Sequence, residues 1–206
     1  ALVGFNESHV NKLIQKLKDE GVKFYFSENT KSVRPNAQRF IVETESGKMI
    51  ETDYVLDATG RKPNVEQIGL EKVGIQFSDR GIEVDDYLRT NVKNIYASGD
   101  VINKMIPKLT PTATFESNYI AAHILGLNTD AIQYPPIPSV LYSLPRLSQI
   151  GVTVSEAKKD DTYIIKDIPF GRQMVFEYQN ETEAEMSIVL DSQKRLVGAE
   201  IYGNDA

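Results

Sequence analysis

The sequence predicts an α/β fold that gives way, after about residue 133, to an α+β segment built on an antiparallel sheet. Three observations carry this. A helix pattern ended by Gly21 runs straight into the β-branched and aromatic stretch Val22 to Phe26. Two strand-like stretches, Tyr54 to Ala58 and Asn94 to Ala97, each empty into a short turn carrying Gly and a charged residue. Beyond the prolines Pro135, Pro136 and Pro138, alternating apolar and polar runs replace helical spacing.

Each element follows from local pattern. Asn6 is a helix cap before Val10, Leu13, Ile14 and Leu17, which recur at i, i+3, i+4 and i+7. Arg39 to Thr44 and Lys48 to Thr52 flank Ser46-Gly47 and read as a hairpin. Gly81 to Val84 is a further short strand. Pro111 reads as the first residue of a helix packed through Ala113, Ala121 and Ala122 and stopped by Gly126. The later strands are Val140 to Ser143, Tyr163 to Ile168, Gln173 to Tyr178, Glu185 to Asp191 and Leu196 to Tyr202, with one short helix near Ser155 to Lys159. Ala1-Leu2-Val3 has strand character but meets the first helix at once, and the last strand ends at the C-terminus, so the sequence reads as a piece of a longer protein.

Composition narrows the function classes. The 206 residues hold 23 Lys+Arg against 29 Asp+Glu, a net charge of −6, which argues against a nucleic-acid partner gripped by phosphate contacts. With 41% hydrophobic and 25% charged residues the chain is globular rather than disordered. The absence of Cys excludes disulfides, thiolate metal sites and a cysteine nucleophile within these residues. No apolar run reaches the roughly 18 residues of a membrane span, so a cytoplasmic protein with no membrane partner is expected. His9 and His123 lie on separate helices without ligands at metal spacing and read as structural.

Two words stand out as candidate binding sites. Gly60 at the end of a strand allows close backbone approach, and Arg61 and Lys62 beside it can meet phosphate, although an ordinary tight turn reads the same way. Asp100, at the end of Asn94-Ile95-Tyr96-Ala97-Ser98-Gly99-Asp100, can accept hydrogen bonds from a polyol or ribose, or serve as a cap or turn residue.

Taken together and in order, Ala58-Thr59-Gly60-Arg61-Lys62-Pro63-Asn64, Ile95-Tyr96-Ala97-Ser98-Gly99-Asp100 and Leu109-Thr110-Pro111-Thr112-Ala113 resemble the flavin-dependent pyridine nucleotide-disulfide oxidoreductases. Pro138 to Ser143 and Ile150 to Thr153 resemble the opening of that family's interface domain, so the likeness covers nearly the whole chain. The resemblance implies partial nicotinamide- and FAD-binding Rossmann-like domains, with residues 1–65 ending the first and 66–133 forming the second half of the other. It implies that residues 134–206 begin a C-terminal dimerisation domain, hence a homodimer.

Residue by residue, the resemblance implies that Asp100 bonds the ribityl chain of FAD. Thr110 and its neighbours would sit at a helix N-terminus facing the flavin, where free N–H groups favour negative charge. Lys108 and Val140 would lie near the nicotinamide of NADPH or NADH and Gly60 at a backbone approach to the dinucleotide, with Arg61, Gly99, Leu109 and Ala113 as further cofactor-binding candidates. Leu109-Thr110-Pro111 is closer to the glutathione reductase form of the word than to the dihydrolipoamide dehydrogenase form. The implied activity is hydride transfer from NAD(P)H through flavin to a small disulfide substrate. Lys108 departs from the family's apolar habit, and the Asp100-to-Thr110 spacing is slightly long. G-x-G-x-x-G, C-x-x-x-x-C and the His-Pro with its Glu do not occur here, so no catalytic residue falls in this segment and these residues alone are expected to be inactive. Basic residues that select NADPH belong around the first helix, where Val3 stands at one such position. Two alternatives stay open, a non-catalytic dimerisation or binding module and a flavoprotein reductase with a non-disulfide acceptor.

Overall fold

A computed structural model describes Leu2 and residues 4–206, so the expectations resting on Ala1 and Val3 lie outside the described residues. The chain divides into two compact units, Ala1–Gly60 and Arg61–Ala206.

In the first unit, α1 (Glu7–Asp19) opens where expected, because the Asn6 side chain accepts the Ser8 N–H at 3.0 Å. His9, Val10 and Leu13 form its buried side. Strands β1 (Thr30–Asn36), β2 (Arg39–Thr44) and β3 (Met49–Thr52) make an antiparallel sheet in the order β1-β2-β3. The β2–β3 hairpin turns through Glu45-Ser46-Gly47, with the Gly47 N–H donating to the Thr44 carbonyl at 3.0 Å and Gly47 at φ +86°. Strand β1 was not expected, since Pro35 interrupts it and the tight turn at Ala37-Gln38 carries neither Gly nor Asn. Its outer position in the sheet tolerates the missing N–H of Pro35.

Two expected strands here are corrected. Val22 to Phe26 and Tyr54 to Ala58 form no strand and pair with none among the described residues. Tyr54 is 88% and Leu56 90% exposed, so an apolar run without a hydrogen-bonded neighbour remains open chain.

The second unit has a small ribbon of β4 (Phe77–Ser78) and β5 (Gly81–Ile82), shorter than the expected strand at residues 81–84. Gly81 is obligatory, because a Cβ there would stand 2.3 Å from the Val101 carbonyl oxygen. The expected strand at Asn94 to Ala97 reduces to a single bridge between Arg89 and Tyr96. Its Ile95 and Ala97 nevertheless pack on Val65, Leu70, Ile75 and Ile82. Helix α2 (Thr110–Ile124) begins one residue before Pro111, and its buried Tyr119 packs with Leu88, Ile102 and Ile132.

The remaining elements are β6 (Ser139–Leu141), β7 (Arg146–Gly151), α3 (Val154–Ala157), β8 (Ile164–Ile168), α4 (Met174–Tyr178), β9 (Glu185–Leu190) and β10 (Leu196–Gly203). The five strands form one antiparallel sheet in the order β6-β7-β10-β9-β8. Val154 and Ala157 of α3 bury against Val189 of β9. Helix α4 corrects the expected strand at Gln173 to Tyr178. A 3-10 turn at Phe170–Arg172 brings the chain around, and Phe176 packs edge-on to Phe170 with ring centroids 4.8 Å apart. That contact suits a helical turn and replaces sheet pairing.

Candidate functional site

Gly99 and Asp100 open a 3-10 turn, Gly99–Val101, at the end of the Asn94 to Ala97 segment. Gly99 takes φ +76°, and a Cβ there would lie 3.2 Å from the Ala113 Cβ. Its N–H donates to Glu116 Oε2 at 2.5 Å. The turn is thereby tied to α2 by a hydrogen bond, with the Ala113 methyl close beside it.

Glu116 is fully buried, at 0% exposure, and its second oxygen accepts the Tyr134 hydroxyl at 2.8 Å. Burial, followed by that bond to a carboxylate, pushes the Tyr134 phenol well above its ordinary pKa. The buried residues of α2 are Thr112, Glu116 and Tyr119, a polar stripe at i, i+4 and i+7. Lower on the helix the Tyr119 hydroxyl donates to the Asp130 carbonyl at 2.6 Å, and His123 Nδ1 lies 2.9 Å from the Asn128 carbonyl. His123 also packs against Tyr87, Tyr96 and Tyr119, as an aromatic neighbour.

The α2 N-terminus is open. Leu109 occupies the cap position without a side-chain acceptor, Thr110 and Pro111 are the first helical residues, and no acid stands in the first turn. Thr112 is 4% exposed, and its hydroxyl has no hydrogen-bond partner. A small hollow is lined by Gly99, Asp100, Lys108, Leu109, Thr112 and Glu116, together with Ile106 and Pro107. The Lys108 ammonium turns back to the Ile102 carbonyl.

Of the residues singled out from sequence, Gly99, Asp100, Lys108, Leu109, Thr110 and Ala113 come together here. Arg61 joins them, with Nη1 3.1 Å from Asp100 Oδ2 in an exposed pair. Val140 lies apart from the hollow, on β6 at one edge of the five-stranded sheet. Gly60 belongs to the first unit, at φ +147° with open space where a Cβ would be. Just before it, the Thr59 hydroxyl and N–H donate to Asp57 at 2.7 and 3.0 Å and hold that carboxyl below its usual pKa. Sequence reading missed Glu116, Tyr134 and Thr112. The available signal was a carboxylate centred between Thr112 and Tyr119 on the face that packs.

An uncapped helix N-terminus, a half-exposed carboxylate and a glycine turn beside the helix thus meet at one place. The family model for pyridine nucleotide-disulphide oxidoreductases matches residues 1–117, and that of the family's dimerisation domain matches residues 137–206; the chain belongs to this family. Dihydrolipoyl dehydrogenase of Bacillus subtilis is 36% identical over 212 residues, covering 100% of this chain and 44% of its own length. Glutathione reductase of Burkholderia cepacia is 31% identical over 211 residues, with 100% and 46% covered. In structure the chain resembles LpdA from Mycobacterium tuberculosis, with a TM-score of 0.89 at 22% identity over 98% of this chain and 44% of the other. It also resembles the HOCl-induced flavoprotein disulfide reductase RclA from Escherichia coli, with a TM-score of 0.88 at 21% identity over 99% of this chain and 47% of the other. The chain thus spans less than half the length of these relatives. Members of the family are oxidoreductases that use FAD and NAD(P)H. No helix among the described residues is long and apolar enough to cross a membrane.

Proposed function

We propose that these residues are the flavin-anchoring and dimer-forming part of an FAD-dependent oxidoreductase that draws electrons from NADPH or NADH and delivers them to a small disulfide. When bound, FAD supplies the hydride-accepting and electron-relaying chemistry. The observation that carries the reading is the Gly99-Asp100 turn clamped onto the open N-terminus of α2.

Arg61 occupies only Oδ2 of Asp100, which leaves Oδ1 to accept from a ribityl hydroxyl. The free N–H groups of Thr110 and Thr112, with Pro111 contributing none, present positive potential toward an electron-rich ring edge. The unpartnered Thr112 hydroxyl fits a site that expects a polar guest. Gly60, Lys108 and Val140 are assigned to the nicotinamide side.

Leu109-Thr110-Pro111 supports a glutathione-type disulfide, whereas the higher identity to dihydrolipoyl dehydrogenase supports a lipoyl one; the shared chemistry is a small disulfide. The dimerisation domain supports a homodimer. A cytoplasmic location fits the same reading. The test is an FAD titration of the full-length polypeptide and its Asp100→Ala variant. We expect affinity to fall at least about tenfold, the scale of a hydrogen bond to a charged acceptor. Equal affinity would remove Asp100 from the flavin site.

A further inference from the structure

We infer that Glu116 is a positioning residue for the flavin anchor, its buried carboxylate fixing the direction in which Asp100 presents its own. The inference rests on the reading that Asp100 holds FAD.

Asp100 is a half-exposed side chain whose partner among the described residues is the exposed guanidinium of Arg61. A surface pair of this kind contributes little and does not hold a side chain in one place. The direction of Asp100 is therefore set by its backbone, and that backbone is held by α2. The Ala113 methyl leaves little room for a side chain on Gly99, and Glu116, three residues further along the helix, accepts the Gly99 N–H. An interior carboxylate is retained where donors satisfy it, and here each oxygen has one, Gly99 N–H and Tyr134 O–H. Tyr134, tilted against Phe115 at 5.9 Å between centroids, keeps the carboxylate from rotating away from Gly99.

The chemistry of the two partners makes the inference testable. In Glu116→Gln the amide oxygen can accept from Gly99, and its NH2 can donate to the Tyr134 hydroxyl, which accepts as readily as it donates. Glu116→Leu fills the same space and makes neither bond. In the full-length FAD-loaded protein, Glu116→Leu should weaken FAD about tenfold to a hundredfold and alter the visible circular dichroism of the bound flavin. Glu116→Gln should restore both to within about threefold, and Tyr134→Phe should fall between them.

Asp100→Ala is measured alongside. If it weakens FAD while Glu116→Leu and Tyr134→Phe bind as the parent does, the positioning role is overturned and the flavin site stands. If Asp100→Ala is without effect, the flavin reading itself fails. A Glu116→Gln variant as weak as Glu116→Leu would overturn hydrogen-bond positioning in favour of the charge alone. Should Glu116→Leu fail to fold, Tyr134→Phe decides, with undiminished affinity counting against the inference.

Discussion

Replacing Gly99 with Ala tests whether the Gly99-Asp100 turn lies as close to α2 as the structure shows. At φ +76° a side chain enters the left-handed region, at about 1–2 kcal/mol for a residue with a Cβ. The new methyl would also meet the Ala113 Cβ at 3.2 Å, inside the roughly 3.5–4.0 Å at which carbon atoms rest, adding about 0.5–1 kcal/mol. The sum is about 2 kcal/mol. Ala113→Gly opens that space but costs about 1 kcal/mol of helix propensity on its own. The double variant should therefore lose about 0.5–1 kcal/mol less than the two single losses combined. Because the chain has two compact units, hydrogen exchange of the α2 amides is the suitable assay, reading this unit separately from the other. Additivity within about 0.3 kcal/mol would show that a methyl at position 99 does not meet Ala113, so that the turn stands further from α2 than described.

Two further predictions concern stability. Gly198→Ala in β10 would place a Cβ 1.9 Å from the Val152 carbonyl oxygen, so the strands must part; a loss of about 3 kcal/mol or more is expected in thermal unfolding, against about 1 kcal/mol for Gly74→Ala, where the space is open. In the hairpin unit, the Lys48 ammonium at 2.6 Å and the Ser46 hydroxyl hold the Glu28 carboxyl down to about 2 from its ordinary 4.5. A depressed carboxyl stabilises the fold above its unfolded value, and that contribution is lost as pH falls from 4.5 through 2. In Lys48→Met, Glu28 should titrate nearer 4.5 by NMR; an unchanged midpoint would show that Lys48 is not the cause.

Elements defined by their own side chains were legible in the sequence. Asn6 fixed the start of α1, Ser46-Gly47 the hairpin, and the alternation in Glu185 to Leu190 and Leu196 to Tyr202 gave β9 and β10. Elements defined by a partner were not. Val22 to Phe26 and Tyr54 to Ala58 have strand composition, yet a strand exists only where a neighbour supplies hydrogen bonds. Gln173 to Tyr178 is as apolar as a strand, yet it follows directly on the 3-10 turn at Phe170–Arg172 and packs Phe176 against Phe170 as a helical turn. At the site, ordered words placed Gly99, Asp100 and Leu109 to Ala113 in one region, since loops that follow strand-like segments and helix starts carry recognisable residues. Glu116 and Tyr134 escaped because their pairing spans 18 residues and neither belongs to a word.

The most direct measurement is a crystal structure of the full-length protein grown with FAD. We expect a ribityl hydroxyl within hydrogen-bond distance of Asp100, the flavin against the Thr110 and Thr112 amides, and the Gly99 N–H still on Glu116. An FAD seated elsewhere, with Asp100 bonded only to Arg61, would contradict this.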